Sequence, residues 1–192
     1  MKHFIREVFD RQAVLNDHEW SKFEERLFER NFKKGDFLLK EGEVENNLSF
    51  IVEGAVRIFT YNKKDEDISI GFATERYFCG SYSSFVSRKP SNIAIQALDN
   101  VKLLCMSYDN LQELYSFSHT GERLGRINAE LTICFKEERE IVLLTMSAKE
   151  RYQHLIETQP KMLELVKLEH LATYLGITPQ SLSRIRRELL QT

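Results

Sequence analysis

The segment from Leu171 to Arg187 constrains the fold most, because its pattern predicts two short helices joined by a tight turn. Ala172 is small where two crossing helices approach closely, and Gly176 permits the turn. Thr178 is a suitable N-cap, and Pro179 suits the first helical position, where its missing N–H costs nothing. The apolar positions that agree with this helix-turn-helix are Leu171, Leu175, Ile177, Leu182 and Ile185.

The second of these helices has a polar face that matches the chemistry of DNA bases. With about 100° per residue, Leu182 and Ile185 point to the first helix, whereas Gln180 and Arg184 point almost the opposite way. Glutamine pairs with adenine and arginine with guanine in the major groove, and the residues near the start of such a helix reach the bases. We therefore predict a DNA-reading face. Its residues are Thr178, Gln180, Ser181, Ser183, Arg184 and Arg187.

Two further positions on this helix complete the prediction. Arg187 and Gln191, further from the helix start, are expected at phosphates, and Thr178 with the helix N-terminus can also meet a phosphate. Arg186 is expected near the buried side, with its aliphatic stem along the apolar surface. The alternative is that Arg184 and Arg187 are solvated charges on a helical hairpin that does not bind DNA.

Between residues 36 and 106 apolar residues alternate with polar ones, which is typical of short strands with one wet face. Many short strands at this spacing predict a β-sandwich or jelly roll. The alternating runs are Phe37/Leu39, Leu48/Phe50/Val52, Val56/Ile58, Ile68/Ile70/Phe72, Ile93/Ile95/Ala97 and Val101/Leu103/Cys105.

A metal-dependent enzyme on such a β-roll would need histidines on its strands. None lies between residues 36 and 106, because the five histidines are His3, His18, His119, His154 and His170. No nucleophile–base set and no glycine-rich phosphate loop is present either. We therefore predict no catalytic activity, no metal and no cofactor.

The overall composition is that of an ordinary globular protein, with 192 residues and a net charge of −2. No run approaches the ~20 apolar residues of a membrane span, and no signal peptide opens the chain, so a cytoplasmic location is expected. The three cysteines, Cys79, Cys105 and Cys134, are far apart, which favours reduced thiols over a disulfide framework or an iron–sulfur cluster.

Helical patterns flank the predicted strands. Residues 1 to about 34 are expected to be helical, and a long helix is expected over about 121–145. Ser147 and Glu150 form a capping box that starts a new helix, which ends before Pro160. The long helix has apolar residues spaced three and four apart, as in a coiled coil, which favours a dimer seam over packing on its own β-domain. The predicted dimer residues are Leu124, Ile127, Leu131, Cys134 and Ile141.

A β-roll, a long helix and a helix-turn-helix, in this order, resemble the bacterial regulators named for the cyclic-AMP receptor protein and the fumarate–nitrate reductase regulator (Crp/Fnr). Residues 50–57 resemble the strand–glycine turn–strand of the sensor domain, and residues 77–85 lie where the phosphate-binding cassette begins. The resemblance implies an α+β protein with a cyclic-nucleotide-binding-domain fold. It also implies a homodimer that binds palindromic operators.

The chain departs from the cyclic-nucleotide binders of that family. Ser81 stands where they have a glutamate for the ribose, and Ser91–Asn92 stand near the place of the arginine that binds the cyclic phosphate. A buried phosphate without matching donors is costly to desolvate, so we expect no binding of cyclic AMP, although Arg88 and Lys89 lie nearby. Another ligand could use small polar residues here, unless these are ordinary loop residues. The candidate pocket residues are Gly80, Ser81, Tyr82, Ser83, Ser91 and Asn92.

The sequence thus predicts three segments: a sensor domain at 1–117, a dimerisation helix at 118–146 and a DNA-binding domain at 147–192. Because the chain stops at Thr192, no C-terminal β-hairpin wing is expected. The predicted function is a homodimeric, sequence-specific transcription regulator. Its partners would be double-stranded DNA, a second copy, an unknown effector and RNA polymerase, but no membrane. The alternative is a regulatory module that binds a cyclic nucleotide or another small molecule without a role at DNA.

Overall fold

The computed structural model describes residues 2–190 and confirms an α+β protein with an antiparallel β-roll. Two four-stranded sheets have the strand orders β1-β8-β3-β6 and β2-β7-β4-β5. The strands are β1 (Phe28–Phe32), β2 (Phe37–Leu39), β3 (Asn47–Glu53), β4 (Val56–Tyr61), β5 (Asp67–Ala73), β6 (Phe78–Cys79), β7 (Ala94–Ala97) and β8 (Val101–Ser107).

Alternation along the strands builds the core of the β-roll. Ile51 and Leu103 point into the space between the sheets, whereas their neighbours Phe50 and Leu104 point out to the helices. Gly54 makes the turn from β3 to β4 with φ +92°, and an added Cβ would lie 2.3 Å from the carbonyl oxygen of Asn100. The turn therefore needs glycine both for its backbone conformation and for space.

The described helices surround the roll and then continue beyond it. They are α1 (Lys2–Asp10), α2 (Asp17–Glu25), α3 (Tyr82–Ser87), α4 (Tyr108–Phe117), α5 (His119–Thr145), α6 (Ala148–Thr158), α7 (Pro160–Leu165), α8 (Leu168–Tyr174) and α9 (Pro179–Leu190). No helix within residues 2–190 is long and apolar enough to cross a lipid bilayer.

The expectation of helix up to about residue 34 is wrong in its last part. Helix α2 ends at Glu25, and β1 follows, paired along its whole length with β8. The strand is mostly exposed and lacks clear alternation, so its conformation is decided by the neighbouring strand rather than by its own pattern. The short strand β6 was likewise not predicted.

Helices α1, α2 and α4 cover the outer face of the first sheet. Trp20, Phe50 and Leu114 belong to the same apolar cluster, which also includes Leu124 in the second turn of α5. Gly125 allows α4 to lie close to α5, because an added Cβ would meet the hydroxyl oxygen of Tyr115 at 2.0 Å. The first turns of the long helix therefore pack with the N-terminal core.

The helices after α5 enclose a core of their own, centred on Leu155, Ala172 and Leu182. The predicted capping box is confirmed, since Ser147 Oγ accepts from Glu150 N–H and Glu150 Oε2 accepts from Ser147 N–H. Phe72 of β5 packs against this C-terminal core, with its ring centroid 5.1 Å from that of Tyr174. The C-terminal unit therefore rests on the second sheet of the β-roll.

Candidate functional site

Helices α8 and α9 form the predicted helix-turn-helix. Gly176 turns the chain with φ +70°, and Thr178 Oγ1 accepts a hydrogen bond from Ser181 N–H at 3.2 Å. Leu182 is fully buried, and Ile185 lies in the same cluster as Leu171. The apolar side of α9 therefore anchors it, and the cap fixes where it begins.

The opposite side of α9 is open to solvent. Gln180, Ser183, Arg184 and Arg187 are exposed, whereas Ser181 is half-buried and bonds to Thr178 through its hydroxyl group. Arg184 Nε lies 3.8 Å from Glu188 Oε1, one turn along the helix. An exposed pair of this kind is weak, so it leaves the guanidinium able to turn to another acceptor.

Arg186 and Gln191 are the remaining positions of α9 for which the sequence gives an expectation. Arg186 is exposed, and the expectation that its stem lies along the apolar surface stays a prediction. Its position, two residues beyond Arg184, lies about 160° round the helix from it. Gln191 lies outside the described residues.

The cassette region contains an internal carboxylate that the sequence analysis missed. Glu45 is 6% exposed, and its Oε2 accepts from Ser81 N–H at 3.4 Å while its Oε1 accepts from Asn47 N–H at 3.1 Å. Burial raises the pKa of the Glu45 carboxyl group, and these backbone donors act against that rise. The backbone of Gly80–Ser81, where the resemblance would put a ligand, thus already faces an acid of the chain itself.

Arg88, the nearest candidate for a phosphate-binding cation, is used within the protein. Its Nη1 donates to the carbonyl oxygen of Glu45 at 2.7 Å, and its guanidinium lies 4.4 Å from the ring centroid of Tyr108. Turning this side chain to a ligand would leave the carbonyl group without its donor.

The candidate pocket residues do not share one environment. Ser81 and Ser91 are buried, whereas Tyr82, Ser83 and Asn92 are exposed. Ser91 Oγ is satisfied locally, because it donates to the carbonyl oxygen of Ile93 and accepts from the N–H of the same residue. Only the Ser81 hydroxyl is buried without a partner, among the candidate pocket residues.

The predicted dimer residues divide along α5. Leu124 is 3% exposed in the N-terminal core and has little surface left for a second copy, and Ile127 is half-buried. Leu131 and Ile141 are each 54% exposed, and Cys134 is also exposed. The surface that could meet a second helix therefore begins near Leu131.

A buried polar network joins the β-roll to the helix-turn-helix. Arg57 of β4 is 1% exposed, pairs with Asp67 through Nη1 and donates from Nε to Ser69 Oγ at 2.8 Å. Thr173 of α8 donates to Ser69 Oγ and accepts from Ser69 N–H, both at 3.1 Å. Arg57 thus fixes Ser69, and Ser69 holds the first helix of the C-terminal motif.

His170 of α8 lies close to the Arg57–Asp67 pair of this network. Burial and the Arg57 guanidinium lower the pKa of His170, and Asp67 and Glu169 oppose this while Lys167 adds to it. In the unfolded chain the imidazole takes up a proton near its ordinary pKa of 6.5, but the folded protein resists protonation. Stability is therefore lost as the pH falls below that value, because the unfolded state binds more protons.

We expect the free energy of unfolding of the wild type to fall more between about pH 7.5 and pH 5.5 than that of His170→Gln. Urea titrations at several pH values measure the difference. Because Glu45 and the other carboxyl groups are the same in both proteins, the difference between the two slopes isolates His170. Equal slopes would mean that the imidazole is protonated as easily in the folded state as in the unfolded state.

The chain combines a β-roll, a short helix after Gly80, a long helix and a capped helix-turn-helix. Known proteins share parts of this arrangement. Residues 29–116 match the family model of the cyclic nucleotide-binding domain. No curated protein sequence matches the chain. The likeness to known proteins beyond this domain therefore rests on solved structures.

Those structures include a protein described as a transcriptional regulator of the Crp/Fnr family. FixK2 from Bradyrhizobium japonicum has a TM-score of 0.73 at 20% identity, over 86% of this chain and 85% of its own. The c-di-GMP-responsive global regulator CLP of Xanthomonas campestris has a TM-score of 0.71 at 16% identity, over 92% of both chains. The catabolite activator protein of Thermus thermophilus has a TM-score of 0.58 at 16% identity, over 92% of this chain and 84% of its own. The chain thus shares the overall fold of these proteins, and residues 29–116 are similar to the cyclic nucleotide-binding domain.

Proposed function

We propose that the chain is a homodimeric, sequence-specific DNA-binding transcription regulator of the cytoplasm whose β-roll does not bind cyclic AMP. The observation that carries the proposal is the solvent-exposed face of α9 with Gln180, Arg184 and Arg187, on a helix that is capped and anchored on its other side. One structural neighbour is described as a global regulator and another as a transcriptional regulator of the Crp/Fnr family, which supports it. An operator with two half-sites suits a dimer of such motifs.

The proposal that the β-roll does not bind cyclic AMP rests on the charged groups near Gly80 and Ser81. A cyclic phosphate would have to approach Gly80 and Ser81 beside the buried carboxyl group of Glu45, with Arg88 held by carbonyl groups and an aromatic ring. Both features disfavour an anion at this place. Regulation would then depend on another effector, or on contacts with RNA polymerase made from the surface of the dimer.

We expect Arg184→Ala to lower affinity for a specific operator about 10- to 100-fold, which corresponds to the ~1–3 kcal/mol of one arginine–guanine contact. An operator selected from a random-sequence pool is used in fluorescence anisotropy with excess nonspecific competitor, at two salt concentrations. Preference at one base pair of each half-site should relax, because Arg184 reads a base and not only a phosphate.

Arg186→Ala is the matched control, since it removes the same charge from the same helix but from a position about 160° away. It should change specific affinity far less than Arg184→Ala. An equal loss in both variants would show that α9 contributes only general positive charge. No selectable operator at all, with or without added cyclic nucleotide, would favour the regulatory module without a role at DNA.

A further inference from the structure

A small cavity lies where the long helix meets the C-terminal unit. Its volume is about 80 Å³, and its lining includes Phe135, Arg139, Arg151, His154 and Tyr174. Arg139 comes from α5, and Arg151 comes from α6 across the break that Ser147 caps. The cavity therefore lies at the junction between the long helix α5 and the helix-turn-helix unit.

The two guanidinium groups in this lining bind only neutral acceptors. Arg139 Nη2 donates to the carbonyl oxygen of Tyr174 at 2.7 Å, and its guanidinium stands 3.6 Å from the ring centroid of that residue. Arg151 Nη1 donates to the carbonyl oxygens of Met146 at 2.8 Å and Leu143 at 3.2 Å. Each arginine thus reaches across the junction and keeps unused N–H donors.

Neither the Arg139 nor the Arg151 guanidinium group has a carboxylate partner at ion-pair distance among residues 2–190, although Glu138 also lines the cavity. The Nε of Arg151 is buried without any hydrogen-bond partner. Burial lowers the pKa of Arg139, the interactions with Tyr174 act against this, and the nearby Arg151 adds to the lowering. A buried donor without an acceptor is costly, and beside a second cation an anion is the acceptor that offsets this cost best.

The volume allows a small group to supply an acceptor here. The cavity has room for several water molecules, since one water needs only about 10–15 Å³ of cavity volume. A phosphate or carboxylate group therefore fits. Guanidinium groups present N–H donors in a planar fork that matches the oxygens of both groups.

We propose that this cavity binds a small oxyanion, a phosphate or carboxylate group, between Arg139 and Arg151, and that its occupancy changes affinity for DNA. An anion held by one arginine from each side of the Ser147 break would tie α5 to α6 and so fix the orientation of α8 and α9. The binding of the anion is independent of the proposed function, whereas its effect on DNA affinity rests on it.

Binding is tested by titrating the full chain without DNA. Inorganic phosphate and acetate are added in separate series, followed by calorimetry and thermal unfolding, with sodium chloride at matched ionic strength as the reference. We expect saturable binding of at least one of the two anions and a rise in melting temperature with its concentration. Arg139→Gln should weaken this binding at least 10-fold. Arg123→Gln, at an exposed position earlier on α5, should leave it unchanged.

Arg151 also binds carbonyl oxygens at the end of α5, so its substitution has to be conservative. Arg151→Lys is the second variant, because it keeps the charge and loses the planar fork. It should reduce binding while far-UV circular dichroism stays the same. No saturable binding of either anion beyond the chloride reference would overturn the site. An equal loss in Arg123→Gln and Arg139→Gln would do so as well, because it would reveal nonspecific attraction.

The effect on DNA is tested by anisotropy with the selected operator, with and without a saturating amount of the anion that binds. We expect at least a threefold change of operator affinity in the wild type and none in Arg139→Gln. A loss of affinity that is the same in both proteins would reflect competition between the anion and DNA phosphates, and it would overturn the coupling while leaving the anion site in place.

Discussion

Asp67→Asn is expected to lower the free energy of unfolding by about 3 kcal/mol, which should make it one of the most damaging single changes in the β-roll. Its partner Arg57 is 1% exposed, so the substitution leaves a buried guanidinium without its counterion. Buried pairs broken in this way typically cost about 3–5 kcal/mol. The lower end applies, because the Asp67 side chain is 42% exposed and water partly screens the pair. Urea denaturation measures the change.

Two comparisons separate this effect from a general loss of surface charge. Glu53→Gln breaks the pair between Glu53 and Lys102 on the first sheet, in which both side chains are more than half exposed, so it should cost less than about 1 kcal/mol. Combining Asp67→Asn with Arg57→Met removes the buried charge and should recover much of the loss. A double variant as unstable as Asp67→Asn would contradict the argument from the uncompensated charge.

The consequence extends to the helix-turn-helix, because Arg57 also fixes Ser69. With Asp67 replaced, the guanidinium is expected to seek another acceptor, and the Ser69–Thr173 contact should weaken. The link between the β-roll and α8 is therefore part of the same polar network as the buried ion pair. Substitutions in strand β5 are therefore expected to alter the position of α9, although the substituted residues are not part of that helix.

The strands with two-residue alternation and the capped helices could be predicted because their patterns are local. Phe50 and Ile51 alternate along β3, and the Ser147–Glu150 box lies within four consecutive residues. Strand β1 could not be predicted in the same way, since its conformation follows from pairing with β8, more than sixty residues later. Alternation along the sequence indicates which side of a strand is buried, but it does not indicate which distant strand pairs with it.

In the candidate site, too, the local features could be predicted and the long-range contacts could not. The polar face of α9 follows from helical spacing alone, and the structure leaves Gln180 and Arg184 exposed as that spacing predicts. The Ser69–Thr173 bond joins residues 104 positions apart, and Glu45 meets Ser81 from 36 positions away. Neither contact has a sequence signature, because Glu45 and Arg57 read as ordinary charged residues until the fold encloses them.

The exposed side of α5 is the surface on which the proposed dimer depends. Leu131, Cys134 and Ile141 lie on one side of the helix, beyond the turns that pack with the N-terminal core. Two such helices related by a twofold axis would bring the same residues together from both copies, since an interface of this symmetry is self-complementary. Leu143 is also exposed, but it lies about 180° round the helix from Cys134 and about 160° from Ile141.

We expect Leu131→Glu to convert the dimer to a monomer, with at least a 100-fold rise in the dissociation constant and a comparable loss of affinity for a two-half-site operator. Each copy would bring one carboxylate into the apolar seam, where it is desolvated and repelled by its counterpart. Analytical ultracentrifugation measures the first effect and anisotropy the second. Leu143→Glu introduces the same charge on the side of α5 that faces away from Cys134 and Ile141, and it should leave both unchanged. A Leu131→Glu protein that stays dimeric and binds the operator normally would show that the two copies meet through another surface.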